Sequence, residues 1–498
     1  MSMESMAPVT GNRPGQARRV GLNTLALFVA RLGSAALAVY QVSLIYPSLG
    51  TEHAGQYRAA FSFCAMFTVF ASMGVHRVLF RDIARAPENA WPLVWSASAL
   101  TLGLSLITYG GLIGVFMLAD GDPDRGWAVA GAGLWVVVLW ALQQPFEYFL
   151  MARERMVAVS ALNLAVSLLK VIAIWLYLGE GATSFRAHMI LSAGALLGLL
   201  IFVAAAVLLE GVQWPRISLK SLRGLFEASV PMSAIMLFSM IYFHADLVIL
   251  TRIQGDVAGG IYGLVRQVTE PVLMLAGVIG NALFPALCRH ATGDEAQFTA
   301  LRQSSLRLLL LIALPVATGI AATALPIVQL LSRGEFEAFR PSVEVLRLAC
   351  AVIPFFYFNG VALEVFLSNH QHWFVVRVYG AAAAACVLLN LFAAAHYGVW
   401  GAVAVAILVN AGITAAFALR LRRELGGLRL ARFLPSIVIA CTVMGAAAHA
   451  LSSISFVAAV LCGLALFPAI CLALTPFDAR ESRLLHGVLG RFAPRRLR

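Results

Sequence analysis

Fourteen long apolar runs divide this chain, at about 21–46, 56–77, 91–118, 127–150, 157–178, 186–209, 228–251, 258–286, 306–331, 342–368, 373–395, 398–420, 433–452 and 455–474. A helix of about 20 apolar residues spans the roughly 30 Å hydrocarbon core of a bilayer. Backbone that crosses lipid must satisfy its own hydrogen bonds, so continuous runs of this length are read as helices. The 498 residues are 61% hydrophobic and 12% charged, with mean hydropathy +0.86; a soluble domain has about 45–50% apolar and 25% charged residues. The reading is an all-α polytopic membrane protein of about fourteen transmembrane helices, with no room for a sizeable soluble domain. The first run is too long for a signal peptide and continues into the polytopic pattern, so it is expected to stay in the protein.

Basic residues set the orientation. With a cytoplasmic amino terminus, 26 of the 36 Lys and Arg residues fall in loops on the inner side, 5 on the outer side and 5 within spans. Positive residues resist translocation, and one miscounted helix would invert every later loop. The asymmetry therefore favours an even count with both termini cytoplasmic. It also accounts for much of the +12 formal charge as basic loops beside anionic lipid, so no nucleic-acid partner is expected.

Six helices precede the stretch Glu210 to Glu227, and an even number of crossings returns the chain to the same face. The next six then run in the same orientation, as in a parallel repeat about the membrane normal. The expected organisation is a cytoplasmic tail over 1–20, an N-lobe over 21–225, a C-lobe over 226–425, and two extra helices with a basic tail over 426–498. A short echo links the lobes: Gly55-Gln-Tyr57 and Gly260-Ile-Tyr262, followed by the intramembrane Arg58 and Arg266.

An ionised side chain at mid-bilayer costs about 2.5–3.5 kcal/mol on insertion scales, so it normally faces a cavity or a partner. At 100° per residue, Arg31 shares an arc with Asn23, Ser34 and Gln41; Arg58 with Ser62, Ser72 and His76; Lys170 with Asn163 and Ser167; and Arg266 with Tyr262, Glu270 and Asn281. Four helices thus carry a polar stripe with a cation. Together they would line a water-accessible, cationic cavity suited to a phosphate or diphosphate. Two plainer readings compete: Arg58 lies near the outer surface and could snorkel, and Arg266 with Glu270 at i, i+4 could only neutralise each other. Arg347 beside Glu344 is read as structural. The intramembrane acids are Glu147, Asp246, Glu270 and Glu364, candidates for ion coupling or a gate, with pairing to an arginine the favoured role for Asp246. No P-loop is present, since both lysines follow leucine. The seven scattered cysteines show no paired spacing, and no metal or cofactor is expected. Pro145 and Pro354 lie in aromatic runs where helices four and ten could bend.

The segment Leu44 to Arg85, with Gly55-Gln-Tyr57, Met73-Gly-Val and Arg81-Asp-Ile-Ala-Arg85, resembles the first hairpin of the polysaccharide transporter family, the Wzx-type branch of a superfamily that also holds multidrug extruders and lipid II flippases. In the second half, Ala245-Asp246-Leu-Val-Ile-Leu, then Gly260-Ile-Tyr262 and Arg266, Leu283-Phe-Pro-Ala-Leu287, Leu314-Pro315 and Ala395-His-Tyr-Gly398-Val-Trp-Gly401-Ala follow the order of that family. The likeness covers about residues 20 to 425. It implies alternating access by two six-helix lobes, moving an undecaprenyl-diphosphate-linked oligosaccharide from the inner to the outer leaflet of a bacterial inner membrane. By the same resemblance Arg31, Arg58, Lys170 and Arg266 would bind the diphosphate. Coupling to H⁺ or Na⁺ stays open, as does association with polysaccharide polymerase machinery. No enzyme activity is expected.

Three alternatives have distinct signatures. A lipid II flippase would need the same cationic site. A drug/cation antiporter would want an acidic cavity, against the arginine excess here. A membrane polymerase or glycosyltransferase commonly places catalytic groups on a large external loop, whereas the outer loops here are short.

Overall fold

The computed structural model describes residues 14–119, 122–211, 213–214, 217–291, 295–369, 371–425 and 434–474, with most side chains of 14–32 and 277–308 outside the description. Every regular element among the described residues is helical. The helices are α1 (Pro14–Ser72), α2 (Val75–Arg85), α3 (Ala90–Ala119), α4 (Pro123–Gly133), α5 (Trp140–Ala152), α6 (Met156–Tyr177), α7 (Ser184–Glu210), α8 (Leu219–Gln254), α9 (Asp256–Ala291), α10 (Glu295–Ala322), α11 (Ala324–Ser332), the single turn α12 (Phe336–Phe339), α13 (Ser342–Ala349), α14 (Val352–Ser368), α15 (His372–Leu425), α16 (Leu434–Ser452) and α17 (Phe456–Leu474). Among the described residues, eight helices are long and apolar enough to cross a membrane, or up to ten when each of two bent pairs counts as one span. The expected fourteen comes from apolar runs, and α1 and α15 each contain two of these, on either side of Gly50 and Gly398.

Local chemistry explains the breaks. Gly50 has φ 66° and Gly255 has φ 86°, each with ψ near 180°, so the chain turns from one helix to the next through a conformation that disfavours any residue with a Cβ. Helix starts are capped by short polar side chains: Asp122 accepts from the Asp124 amide with Pro123 at the first position of α4, and Thr183 accepts from the Arg186 amide. Between α4 and α5 the helix widens into a π turn over Leu134–Leu139. Pro145 lies within α5 without ending it. Pro354 falls in the first turn of α14, just after the break at Cys350–Ala351, where a missing amide costs least.

The chain divides into two compact units. The first holds residues 1–267, 331–339 and 379–402. Val75, Leu79, Trp91, Phe149 and Phe202 form one of its cores; Cys64, Leu112, Val129, Ala132 and Val137 form another. The second unit holds 268–330, 340–378 and 403–498. It packs the rings of Phe366, Phe374 and Phe417 at 5.0–6.0 Å, and Asn359 links α14 to α15 by donating to the Asn410 carbonyl and accepting from Thr414. Large apolar side chains such as Ile107, Leu118, Trp175, Leu408 and Leu464 point outward, as they do when the surrounding solvent is hydrocarbon.

Candidate functional site

Three of the four expected cations converge within the first unit. Past Gly50, the second limb of α1 presents Arg58 and, one turn on, Phe61; the Arg58 guanidinium lies 4.8 Å from the Phe61 ring centroid. Phe61 stacks on Trp135 of the π turn at 5.5 Å, and the Lys170 ammonium of α6 lies 5.8 Å from the Trp135 ring. Phe61 also makes an edge contact with His244 at 6.2 Å, His244 meets Phe243 at 5.0 Å, and the Arg266 guanidinium of α9 lies 4.5 Å from the Phe243 ring. A continuous aromatic chain therefore connects Arg58, Lys170 and Arg266. Each cation over a ring gains about 0.5–2 kcal/mol, depending on desolvation. The Lys170 stem lies where Gly194 leaves space, since a Cβ there would come within 2.7 Å of Lys170 Cγ.

Charge within the cluster is partly balanced. Asp246 is 2% exposed, and its Oδ2 accepts from the Tyr262 hydroxyl at 2.6 Å and from Arg266 Nη1 at 3.4 Å, while Oδ1 accepts from the Leu247 amide at 2.8 Å. Arg266 Nη2 also donates to the Phe243 carbonyl. Asp246 pairs with an arginine, as expected, and that arginine is Arg266. Arg58, only 3% exposed, donates to the neutral Gln267 Oε1 at 3.1 Å. It is buried among protein groups and does not snorkel. Three basic side chains, Arg58, Lys170 and Arg266, and the carboxylate of Asp246 are thus gathered along one aromatic chain.

Trp135 is held by relays. Its Nε1 donates to His188 Nδ1 at 3.2 Å, which leaves His188 Nε2 to donate to the Tyr57 carbonyl at 3.1 Å, and the His188 and Tyr57 rings stack at 4.5 Å. Beside it, Gln56 Oε1 accepts from His53 and Ser184, and Gln56 Nε2 donates to Asp256 Oδ2, which also accepts from Arg125 Nη2 at 3.2 Å. Helices α1, α4, α7 and α9 are thereby tied at one end. The same end contains a close crossing, where a Cβ on Gly55 would lie 1.7 Å from the Asp256 carbonyl oxygen and one on Gly260 2.0 Å from that of Thr51.

The remaining expected residues are placed as follows. The Arg31 side chain lies outside the described residues. Glu147 accepts from Asn163 at 3.0 Å. Glu270 and Glu364 belong to the second unit, the first buried on α9 and the second half-buried on α14. Arg347 pairs with Glu344 at 2.5 Å. Among the described residues no group of His, Cys, Asp or Glu is gathered as a metal requires. Sequence reasoning does not single out Phe61, Trp135, Phe243, His244 or Gln267. Phe61 at i+3 from Arg58 and Phe243 at i−3 from Asp246 carry a same-face signal; Trp135, set by a π turn, carries none.

The second unit carries an apolar cleft of about 420 Å³ between α10, α16 and α17, lined by Pro315, Gly319, Met444, Gly463 and Phe467 among others.

Solved structures share this fold. A lipid II flippase MurJ in an inward closed conformation is 12% identical, with 94% of this chain and 100% of that chain covered and a TM-score of 0.67. A mutant form of the Vibrio cholerae MATE transporter VcmN is 15% identical, with 82% and 98% covered and a TM-score of 0.54. The MATE multidrug transporter DinF-BH is 14% identical, with 85% and 98% covered and a TM-score of 0.55. No curated protein matches the sequence. The family described as "Polysaccharide biosynthesis protein" matches residues 20–290, more than half of the chain, and the chain belongs to that family.

Proposed function

We propose that this protein is a flippase that moves an undecaprenyl-diphosphate-linked oligosaccharide from the inner to the outer leaflet of a bacterial inner membrane, for exopolysaccharide, capsule or O-antigen synthesis. The observation that carries the reading is the convergence of Arg58, Lys170 and Arg266 on the chain Phe61–Trp135–His244–Phe243. Cations already desolvated and held over rings need little reorganisation to meet phosphate oxygens. Arg31 is assigned to the same role from sequence. The residues 21–225 and 226–425 act as two lobes in alternating access, with both termini cytoplasmic. Asp246 holds Arg266 between transport cycles, and Glu147, Glu270 and Glu364 serve gating or ion coupling.

Two physical arguments support the direction and the lipid. With the interior negative, outward movement of an anion is favoured by about 2.3 kcal/mol per charge per 100 mV. The apolar cleft of α10, α16 and α17 matches a prenyl chain, whose every CH₂ contributes about 0.8 kcal/mol when buried. A lipid II flippase is the second reading, favoured by the MurJ fold; the cationic cluster disfavours a cationic drug as cargo. The test is translocation in proteoliposomes of three fluorescent cargoes: a polyprenyl-diphosphate oligosaccharide, lipid II and a cationic dye. Transfer of the first alone is expected. Transfer of lipid II in preference assigns the second reading, and transfer of the dye alone overturns both.

A further inference from the structure

We infer that Gln143, Glu147 and Asn163 form a sugar subsite beside Lys170, which takes the sugar joined to the diphosphate and favours a neutral hexose over a hexuronic acid. The inference rests on the proposed function and adds the part of the cargo that the cationic cluster leaves unread. Glu147 of α5 accepts from the Asn163 side chain of α6 at 3.0 Å and from the Gln143 side chain, one turn earlier on α5. Gln143 Oε1 lies 3.3 Å from where a Cβ on Gly198 would stand, and the Lys170 stem takes the matching space at Gly194, one turn earlier on α7. Two glycines thus seat the Lys170 stem and the Gln143 amide side by side, about 6 Å apart along α7. Glu147 and Asn163 continue the row, and the seven residues from Asn163 to Lys170 make it about 10 Å long. With the diphosphate on Lys170, the next part of the cargo along this row is its first sugar.

The exposure of α6 shows which way the row faces. Val157, Leu168, Ile172, Trp175 and Leu176 are exposed apolar residues on one side of the helix, as lipid requires. At 100° per residue, Asn163, Ser167 and Lys170 lie on the opposite side. Each is half-buried, as are Gln143 and Glu147. Polar side chains at membrane depth face a cavity or a partner, so the open part of the row borders an aqueous path rather than acyl chains. Hydrogen-bonding capacity then selects the sugar. A carboxylate accepts about four hydrogen bonds, and the amides of Asn163 and Gln143 leave Glu147 room for hydroxyl donors. The Asn163 Oδ1 beside it is a further acceptor, while Ser167 turns its hydroxyl back to the Asn163 main-chain carbonyl. A hexose meets such a row with its hydroxyl groups as donors. A hexuronic acid brings an acceptor-only carboxylate against acceptors, one of them of like charge. Contact with the sugar also gives the gating role of Glu147 a signal to read.

The experiment measures equilibrium binding of three fluorescent lipids to the purified full-length protein: polyprenyl diphosphate without sugar, with one glucose and with one glucuronic acid. The wild type should bind the glucose lipid about tenfold more tightly than either of the other two. Glu147→Gln, which offers an amide donor to the uronate, should bring the two sugar lipids within about twofold of each other and bind the sugar-free lipid as the wild type does. Asn163→Leu should bind the glucose lipid no better than the sugar-free one, and it decides the matter should Glu147→Gln fail to fold. Equal binding of both sugar lipids by the wild type, an unchanged preference in Glu147→Gln, or a loss in either variant that extends to the sugar-free lipid would each overturn the inference and leave the diphosphate site standing. Failure of the wild type to bind any of the three lipids would overturn the transport reading and this subsite with it.

Discussion

Gly55 and Gly260 pack against each other's helices in a reciprocal way. A Cβ on Gly55 would strike the carbonyl of Asp256, and a Cβ on Gly260 that of Thr51. The offset between Thr51 and Asp256 is 205 residues, and the same offset relates Gly55 to Gly260, Gly50 to Gly255, and Tyr57 to Tyr262. Residue i meets j as j′ meets i′, the property of an isologous contact between two copies of one unit. The two Gly-x-Tyr segments thus meet where two helices cross backbone to backbone.

Gly55→Ala and Gly260→Ala should each destabilise the protein by about 1–3 kcal/mol through overpacking. Because both residues serve one crossing, the double variant should cost clearly less than the two single losses added together. Thermal unfolding of the three variants in one detergent tests this, and strict additivity would count against a shared contact.

Asp246 and Arg266 are buried and ion-paired, so removing either leaves the other's charge less well compensated. Asp246→Asn or Arg266→Gln alone should cost about 3–5 kcal/mol, with the double variant recovering much of it. Tyr262→Phe should cost about 1–3 kcal/mol, as Asp246 loses a short hydrogen bond. Chemical denaturation in lipid–detergent micelles reads the order, and a double variant no better than the worse single one would refute the pairing.

Phe61→Leu should slow translocation of the lipid-diphosphate cargo several-fold without changing preference among glycans, because it removes the ring that joins Arg58 to Trp135. Initial rates with two cargoes of different sugar and equal diphosphate check it. A change confined to one glycan would mean that Phe61 contacts sugar.

Gly319 lines the apolar cleft of the second unit, and a Cβ there has open space around it. Gly319→Phe should therefore fold, fill the cleft and lower the rate for a long prenyl chain, while sparing an analogue with a chain of only two or three isoprene units. Equal effects on both chains would remove the cleft from the lipid path.

How much of this was legible without coordinates follows from the physics of each feature. Apolar length alone requires helices in lipid, so the all-helical fold could be read directly. Burial of charge is expensive, which picked out Arg58, Lys170, Arg266 and Asp246 as residues needing a reason. That Asp246 meets Arg266 was not legible, because the two become neighbours only when α8 and α9 pair. Trp135 was invisible for a related reason: the π turn over Leu134–Leu139 rotates it off the regular helical register. The Gly55–Gly260 crossing was half legible, as a pattern whose contact is three-dimensional.

The central claim is that Arg58, Lys170 and Arg266 together hold a diphosphate. The most direct measurement is equilibrium binding of a fluorescent polyprenyl-diphosphate saccharide to the purified wild type and to Arg58→Gln, Lys170→Gln and Arg266→Gln, with a polyprenyl saccharide lacking phosphate as control. Each variant should bind the diphosphate lipid about tenfold more weakly or worse, with the control bound poorly and equally by all four proteins. Wild-type affinity in all three variants, or equal affinity for the uncharged control, would contradict the account.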